Sequence, residues 1–184
     1  MMREARQMWA PTMIEIRAGE TELAIAIMRE VAQWCIEIGR PMWRLDELTR
    51  ETLLGNPPAG EDFRVAWVDD APAASMILQW HDPLFWPDIP ANESGFIHKL
   101  CVRRDFAGRN LSTTMVEYAV NESKKKTIDL VRLDTDFANP RLCALYEGMG
   151  FIRAGRKRIN GKDYALYELR VSNFRPSWPH MQVR

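Results

Sequence analysis

Cysteine and histidine are scarce in this chain, and their spacing excludes two common ways of stapling a fold. Cys35, Cys101 and Cys143 are the three cysteines in 184 residues. No Cys-x-x-Cys pair is present, and an odd count does not make a disulfide framework. The three histidines, His81, His98 and His180, are equally scattered, so no metal site is expected. No apolar run is long enough to cross a bilayer, and no membrane partner is expected. The first residues, MMREARQMWAPTM, lack the continuous apolar stretch of a signal peptide. A surplus of one charge is missing too. Lys plus Arg and Asp plus Glu both number 25, which argues against nucleic acid as a partner. The run Lys124-Lys125-Lys126 reads as a solvated helix end, where cations suit the helix dipole. A reducing cytoplasm is the expected location.

What is present is an ordinary globular balance, 46% hydrophobic and 27% charged. The length suits one domain over 1–184, with a core over about 12–171 and a polar tail over 172–184. Residues 13–17 alternate as a first strand. A helical period follows from Thr21, with Leu23, Ala26, Ile27, Val31, Trp34, Cys35 and Ile38 on one face and Gly39 as the stop. Residues 46–54 suggest a second helix, and 55–60 a loop. Strands are expected over 63–68 and 73–80, joined by the turn Asp69-Asp70-Ala71-Pro72. The segment 81–94 reads as a loop. Residues 95–102 read as a strand with Phe96, His98, Leu100 and Val102 on one face. Helix over 111–124, strand over 128–135 and helix over 139–149 follow, the last with an Asn cap and Pro at its first position. Strands over 151–159 and 164–171 flank Asn160-Gly161, a strong hairpin signal. This order predicts an α/β sandwich with a mixed sheet.

One stretch carries chemistry. In GFIHKLCVRRDFAGRNLSTTM an apolar strand ends at Val102, a polar turn passes through Gly108, and a helix opens near Asn110. The first amides of a helix have no intrahelical acceptor, and with the dipole they bind phosphate. Gly108 permits close backbone approach, and Ser112 and Thr113 offer hydroxyls. Taken alone, a strand, a turn and a helix with one glycine also describe many structural connections.

Leu100-x-Val102 followed by Phe106-Ala107-Gly108-Arg109-Asn110-Leu111-Ser112 resembles motif A of the GNAT acyltransferase superfamily. NPRLCALYEGMGF, from Asn139 to Phe151, closely matches that family's motif B. The resemblance runs over roughly residues 63–169. Ala107 stands where the family has Arg or Gln, Asn110 and Ser112 replace small residues, and Arg104 replaces a usual Pro. Asn tolerates left-handed backbone angles and Ser is small, so the turn is expected to keep its shape.

The resemblance implies a GNAT-like mixed central sheet of about seven strands, flanked by helices, with a bulged, splayed fourth strand. It implies an acetyl-CoA-dependent N-acetyltransferase, with acetyl-CoA as the acyl donor, no metal, and a small-molecule or peptide amine as acceptor. Protein N-acetylation and a non-catalytic CoA-binding module are the other readings, and a homodimer is within the family's habit. Carried over by position, Leu100, Cys101 and Val102 would pair by main chain with the pantetheine. Ala107, Gly108, Arg109, Asn110, Leu111, Ser112 and Thr113 would form the pyrophosphate turn. Asn139 would contact the pantetheine arm, or act only as a helix cap. Tyr146 would sit near the sulfur and protonate the departing thiolate, or simply pack. A main-chain N–H at the strand bulge near Cys101 would hold the oxyanion.

An alkylamine is mostly protonated at neutral pH and must lose a proton before it attacks. His98 is the leading base, because histidine titrates near operating pH. HKLCVRRDF also resembles stretches of arylalkylamine N-acetyltransferases in which that histidine relays the proton. A buried structural histidine is the alternative, and Asp134, Glu47 and a water chain are rival bases. Cys101 has no neighbouring base in sequence and reads as a small strand residue. Trp43, Trp80, Phe85 and Trp86 fall in segments expected to line the acceptor site. Asp82, Asp88 and Glu93 are too loosely spaced to argue a cationic acceptor.

Overall fold

The fold is described over residues 13–54 and 60–175 of a computed structural model. A seven-stranded sheet runs in the order β1-β2-β3-β4-β5-β7-β6. The strands are β1 (Ile14–Ala18), β2 (Phe63–Val68), β3 (Ala71–Gln79), β4 (Gly95–Val102), β5 (Leu130–Asp136), β6 (Ile152–Ile159) and β7 (Lys162–Arg170). Only β4 and β5 pair in parallel. Helices α1 (Thr21–Glu37) and α2 (Arg50–Leu54) come before β2, α3 (Leu111–Lys125) crosses from β4 to β5, and α4 (Pro140–Gly148) follows β5. Side chains on one face of the sheet form a core with α3 and α4, around Met76, Ile97, Met115, Val116, Leu133 and Tyr167. On the other face Phe63, Val65, Ile77 and Cys101 pack under α1, against Ile27, Met28 and Val31.

Turn chemistry sets the hairpins. Asp69 and Asp70 both take left-handed angles, as do Asn160 and Gly161, the geometry that two-residue hairpin loops demand. The first turn is tighter than expected. Ala71 and Pro72 already belong to β3, and Pro72 sits where the β2–β3 register shifts, a place that tolerates a missing N–H. Three other expectations need correction. Residues 45–54 are not one helix but a 3₁₀ turn, Leu45–Glu47, and the short α2. The buried face of α1 is Ala24, Ile25, Met28 and Ala32 with Ile27, Val31 and Cys35, while Ala26 and Ile38 face solvent. The helix is rotated because Ala24, Met28 and Ala32 fit flush on the sheet. Of the expected 55–60 loop, residues 55–59 lie outside the described residues, as does most of the tail.

The fourth strand departs most from regularity. Ser75 pairs with Cys101 and Ile77 with His98, so β4 carries one residue more than β3 between these pairs. The extra residue makes a bulge, and Lys99 takes a left-handed φ of 52°. The bulge falls just before Cys101, near where it was expected, and it resets the alternation of faces. Leu100 and Val102 pack with Ile97 on the α3 side, whereas Cys101 faces α1. The expected common face of Phe96, His98, Leu100 and Val102 is therefore broken after His98.

Beyond the bulge the sheet opens. β4 and β5 pair only at Gly95 with Val131, Phe96 with Arg132, and Ile97 with Leu133. Past Ile97 the strands diverge, and His98 and Asp134 stand at the mouth of the opening. The 81–94 loop closes over the sheet beside this mouth. Trp86 lies against the Arg132 guanidinium at 4.9 Å, Phe85 meets Tyr164 edge-on at 5.1 Å, and Lys157 donates to the Leu84 carbonyl at 2.6 Å.

Candidate active site

The turn after β4 leaves main-chain donors free at a helix start. A short 3₁₀ turn, Arg104–Phe106, leads into it. Gly108 and Asn110 both adopt left-handed angles, with φ of 80° and 57°. Asn110 thus does with an Asn what a glycine would do without strain. Among the described residues no backbone acceptor takes the amides of Gly108, Asn110, Leu111, Ser112 or Thr113. Leu111 is buried and pins the start of α3 to the core, while residues 107–110 are exposed. Unpaired amides at the positive end of a 15-residue helix are able to hold a phosphate. The Ala107 side chain is not needed for it, since the donors are main-chain. Arg109 folds back over the Phe106 ring, 5.2 Å from its centroid.

The opening between β4 and β5 holds the titratable groups. His98 Nδ1 is 3.5 Å from Asp134 Oδ1, and His98 Nε2 is 3.7 Å from Asp82 Oδ2. The three residues come from β4, β5 and the 81–94 loop, which is why sequence spacing did not associate them. Burial alone would press the imidazole pKa down. The Asp134 hydrogen bond and the charges of Asp134 and Asp82 outweigh burial and the opposing Lys99, so the net direction is upward. One ligand atom from each residue lies within 4.8 Å of the others. A tetrahedral ion at bond lengths near 2.0–2.2 Å draws its ligands to roughly 3.4 Å. Here the carboxylates approach different ring nitrogens, and an ion can take only one. The arrangement suits a protonated imidazole.

Tyr146 lies on α4, buried, with its ring edge-on to Phe151 at 5.7 Å. Burial raises its phenol pKa well above the usual tyrosine range, and the nearby Asp134 carboxylate and Cys101 thiol add to this. It is thus within the electrostatic reach of both strands that frame the opening. Its helix starts at Asn139, whose Oδ1 accepts the Leu142 amide at 3.1 Å, so the cap role is occupied in this structure. Cys101 is buried, and burial pushes its thiol up to about 12 against the Ser75 hydrogen bonds. A thiol so hard to ionise is not a nucleophile.

The model of the acetyltransferase (GNAT) family matches residues 25–151. The chain belongs to the GNAT acetyltransferase family. It is an acetyl-CoA-dependent acyltransferase, with acetyl-CoA as donor. It is 36% identical over 62 residues to the yeast (Saccharomyces cerevisiae) N-alpha-acetyltransferase 30, covering 34% of this chain and 35% of that protein. It is 24% identical over 159 residues to an uncharacterized N-acetyltransferase, YesJ, of Bacillus subtilis, covering 83% and 86%. A GNAT family acetyltransferase from Listeria monocytogenes has the same fold, with a TM-score of 0.64 and 23% identity over 86% of this chain and 94% of that one.

Two more side chains border the β4–β5 opening: Lys99, for which the sequence offered no expectation, and Asp82, whose spacing alone argued nothing. Lys99, turned by the bulge, sets its ammonium 5.1 Å from the Trp43 ring centroid, and burial lowers its pKa against the pull of Asp134 and Glu47. Nothing in a lysine marks it for a left-handed position, so no sequence signal points there. Asp82 is buried and starts the 81–94 loop by accepting the Leu84 and Phe85 amides at 3.1 and 3.0 Å. An Asp followed by two turn residues is the only hint, and it speaks of the turn. Of the four aromatics expected to surround the acceptor, Trp43, Phe85 and Trp86 lie on the α1 and loop side. Trp80 packs on the α3 side, under Lys126 at 4.9 Å. Among the described residues no helix is long and apolar enough to cross a membrane.

Proposed function

We propose that this enzyme transfers the acetyl group of acetyl-CoA directly to a primary amine of a small molecule or peptide. His98 serves as base, and Tyr146 serves as donor to the departing thiolate. The observation that carries this reading is the convergence at one opening. β4 leaves β5 after Ile97, the His98–Asp134 pair stands 3.5 Å apart in the gap, and Tyr146 is within the field of Asp134 and Cys101.

The chemistry follows from these positions. The amides of Gly108 and residues 110–113 receive the pyrophosphate, and the pantetheine runs along the exposed edge of β4 past Cys101 and Val102. This places the thioester in the gap. The acceptor ammonium gives its proton to neutral His98. The amine nitrogen then attacks the carbonyl carbon, and a bulge N–H holds the oxyanion. The C–S bond then breaks, the departing thiolate takes the second proton of the attacking nitrogen and leaves as the free thiol, and Tyr146 steadies the developing charge on sulfur with a hydrogen bond. The match to an N-alpha-acetyltransferase favours a peptide α-amine within this reading. Such an amine, with a pKa of about 7.7–8.0, demands less of the base than an alkylamine near 10.4.

The test is thiol release from acetyl-CoA across a panel of peptide N-termini, polyamines and arylalkylamines. At least one class should give saturable, amine-dependent release. Binding of acetyl-CoA by calorimetry without release for any class would move the reading to a CoA-binding module.

A further inference from the structure

We propose that Asp82 is a positioning residue for His98: it is the loop-borne half of a two-carboxylate clamp, with Asp134 as the other half, that holds the imidazole in the opening between β4 and β5. The proposal rests on the reading of His98 as the base.

Two orphaned atoms carry it. Asp82 Oδ2 and His98 Nε2 are both buried and without a hydrogen-bond partner, and they face each other at 3.7 Å. Buried polar atoms left unpaired are costly, so a facing donor and acceptor are expected to share a proton. Asp82 cannot turn away. Its other oxygen is fixed by the Leu84 and Phe85 amides, and its side chain is 5% exposed. The clamp is therefore rigid on the loop side. On the strand side, Asp134 lies in the regular β5–β7 ladder opposite Leu166.

The other charges around the imidazole are already engaged or opposed. Arg132 on β5 donates to Ser94 and Glu168 beneath Trp86. Lys162 on β7 pairs with Asp136 at 3.0 Å. Lys99, the next residue on β4, lies over Trp43 and opposes a charge on His98. Tyr164 meets Phe85 edge-on from β7. The two carboxylates are thus the groups that favour the imidazolium. With both ring N–H groups donating, each carboxylate is satisfied. When the ring gives up one proton, the carboxylate beside that nitrogen loses its donor, and the nitrogen so freed is the one that takes the acceptor's proton. Asp82 also ties the ring to the loop that covers the acceptor side, so the seating of that loop and the orientation of the base are one arrangement. Contacts this long in the free enzyme are expected to tighten once substrates exclude water.

Asp82→Asn tests this, because the amide oxygen still accepts from Leu84 and Phe85 and the loop keeps its start. The measurement is the pH dependence of kcat/KM for wild type, Asp82→Asn and His98→Gln, with the His98 imidazole titrated by NMR in the first two. The melting temperature is followed alongside. The proposal expects the acid limb and the imidazole titration to move together to lower pH in Asp82→Asn, by half a unit or more. A lowered melting temperature or rate with the limb unmoved overturns the clamp and leaves His98 as base. A limb that survives in His98→Gln overturns the base reading and the proposal with it. A wild-type limb that shifts on adding EDTA also overturns it, because a metal ion would then occupy the three groups.

Discussion

His98→Ala is expected to lower kcat/KM near pH 7 by about 10²- to 10⁴-fold, the usual worth of a positioned base. The sign of the pH effect follows from the environment of the ring. The pKa of His98 is raised by Asp134 and Asp82 in spite of burial. The competent, neutral form therefore predominates only at higher pH, and wild-type kcat/KM should climb through a limb above 6.5, the ordinary histidine value. In the variant that limb should vanish. The deficit should also shrink as pH rises, since the acceptor then deprotonates without help. For an α-amine near 7.7–8.0 it should largely close by about pH 9, and for an alkylamine near 10.4 it should persist. One pH–rate series thus reports both the base and the acceptor class. An unmoved limb removes His98 from the chemistry and leaves Asp134 or Glu47 to be tried.

Tyr146→Phe is expected to cut kcat by about 10²- to 10³-fold, the cost of removing one donor aimed at developing charge. The KM for acetyl-CoA should stay within about threefold, because the lost bond forms as the thiolate departs. The hydroxyl acts as a hydrogen-bond donor more than as a full acid. An ordinary tyrosine near 10 is already a weaker acid than a thiol near 8.5, by about 2 kcal/mol, and burial pushes Tyr146 further up. Phenylalanine keeps the edge-on contact with Phe151, so the fold should be preserved. Unchanged turnover in steady-state assays would reduce Tyr146 to packing.

Strand and hairpin positions were readable because their causes are local. Asn160-Gly161 and Asp69-Asp70 name their own turns, and apolar alternation names the strands between them. The shape of the turn after β4 was readable for the same reason, as Gly108, Asn110 and the start of α3 lie within a few residues. The cluster at the β4–β5 opening was not, since it is made by strands and a loop that meet only in the folded sheet. The bulge at Lys99 depends on how β3 and β4 accommodate each other, and it moved Leu100 to the other face. Asp82 and Asp134 meet His98 from two different segments. Trp80 shows the converse, as its place in the chain grouped it with the expected acceptor aromatics and the fold packs it against the α3-side core.

A structure with acetyl-CoA bound decides where the donor lies. The pyrophosphate is expected on the amides of Gly108 and residues 110–113, and the pantetheine beside Cys101 and Val102. The sulfur is expected within hydrogen-bonding reach of the Tyr146 hydroxyl. A donor bound away from the β4–β5 opening, or a sulfur held on the far side of the sheet from Tyr146, would contradict it.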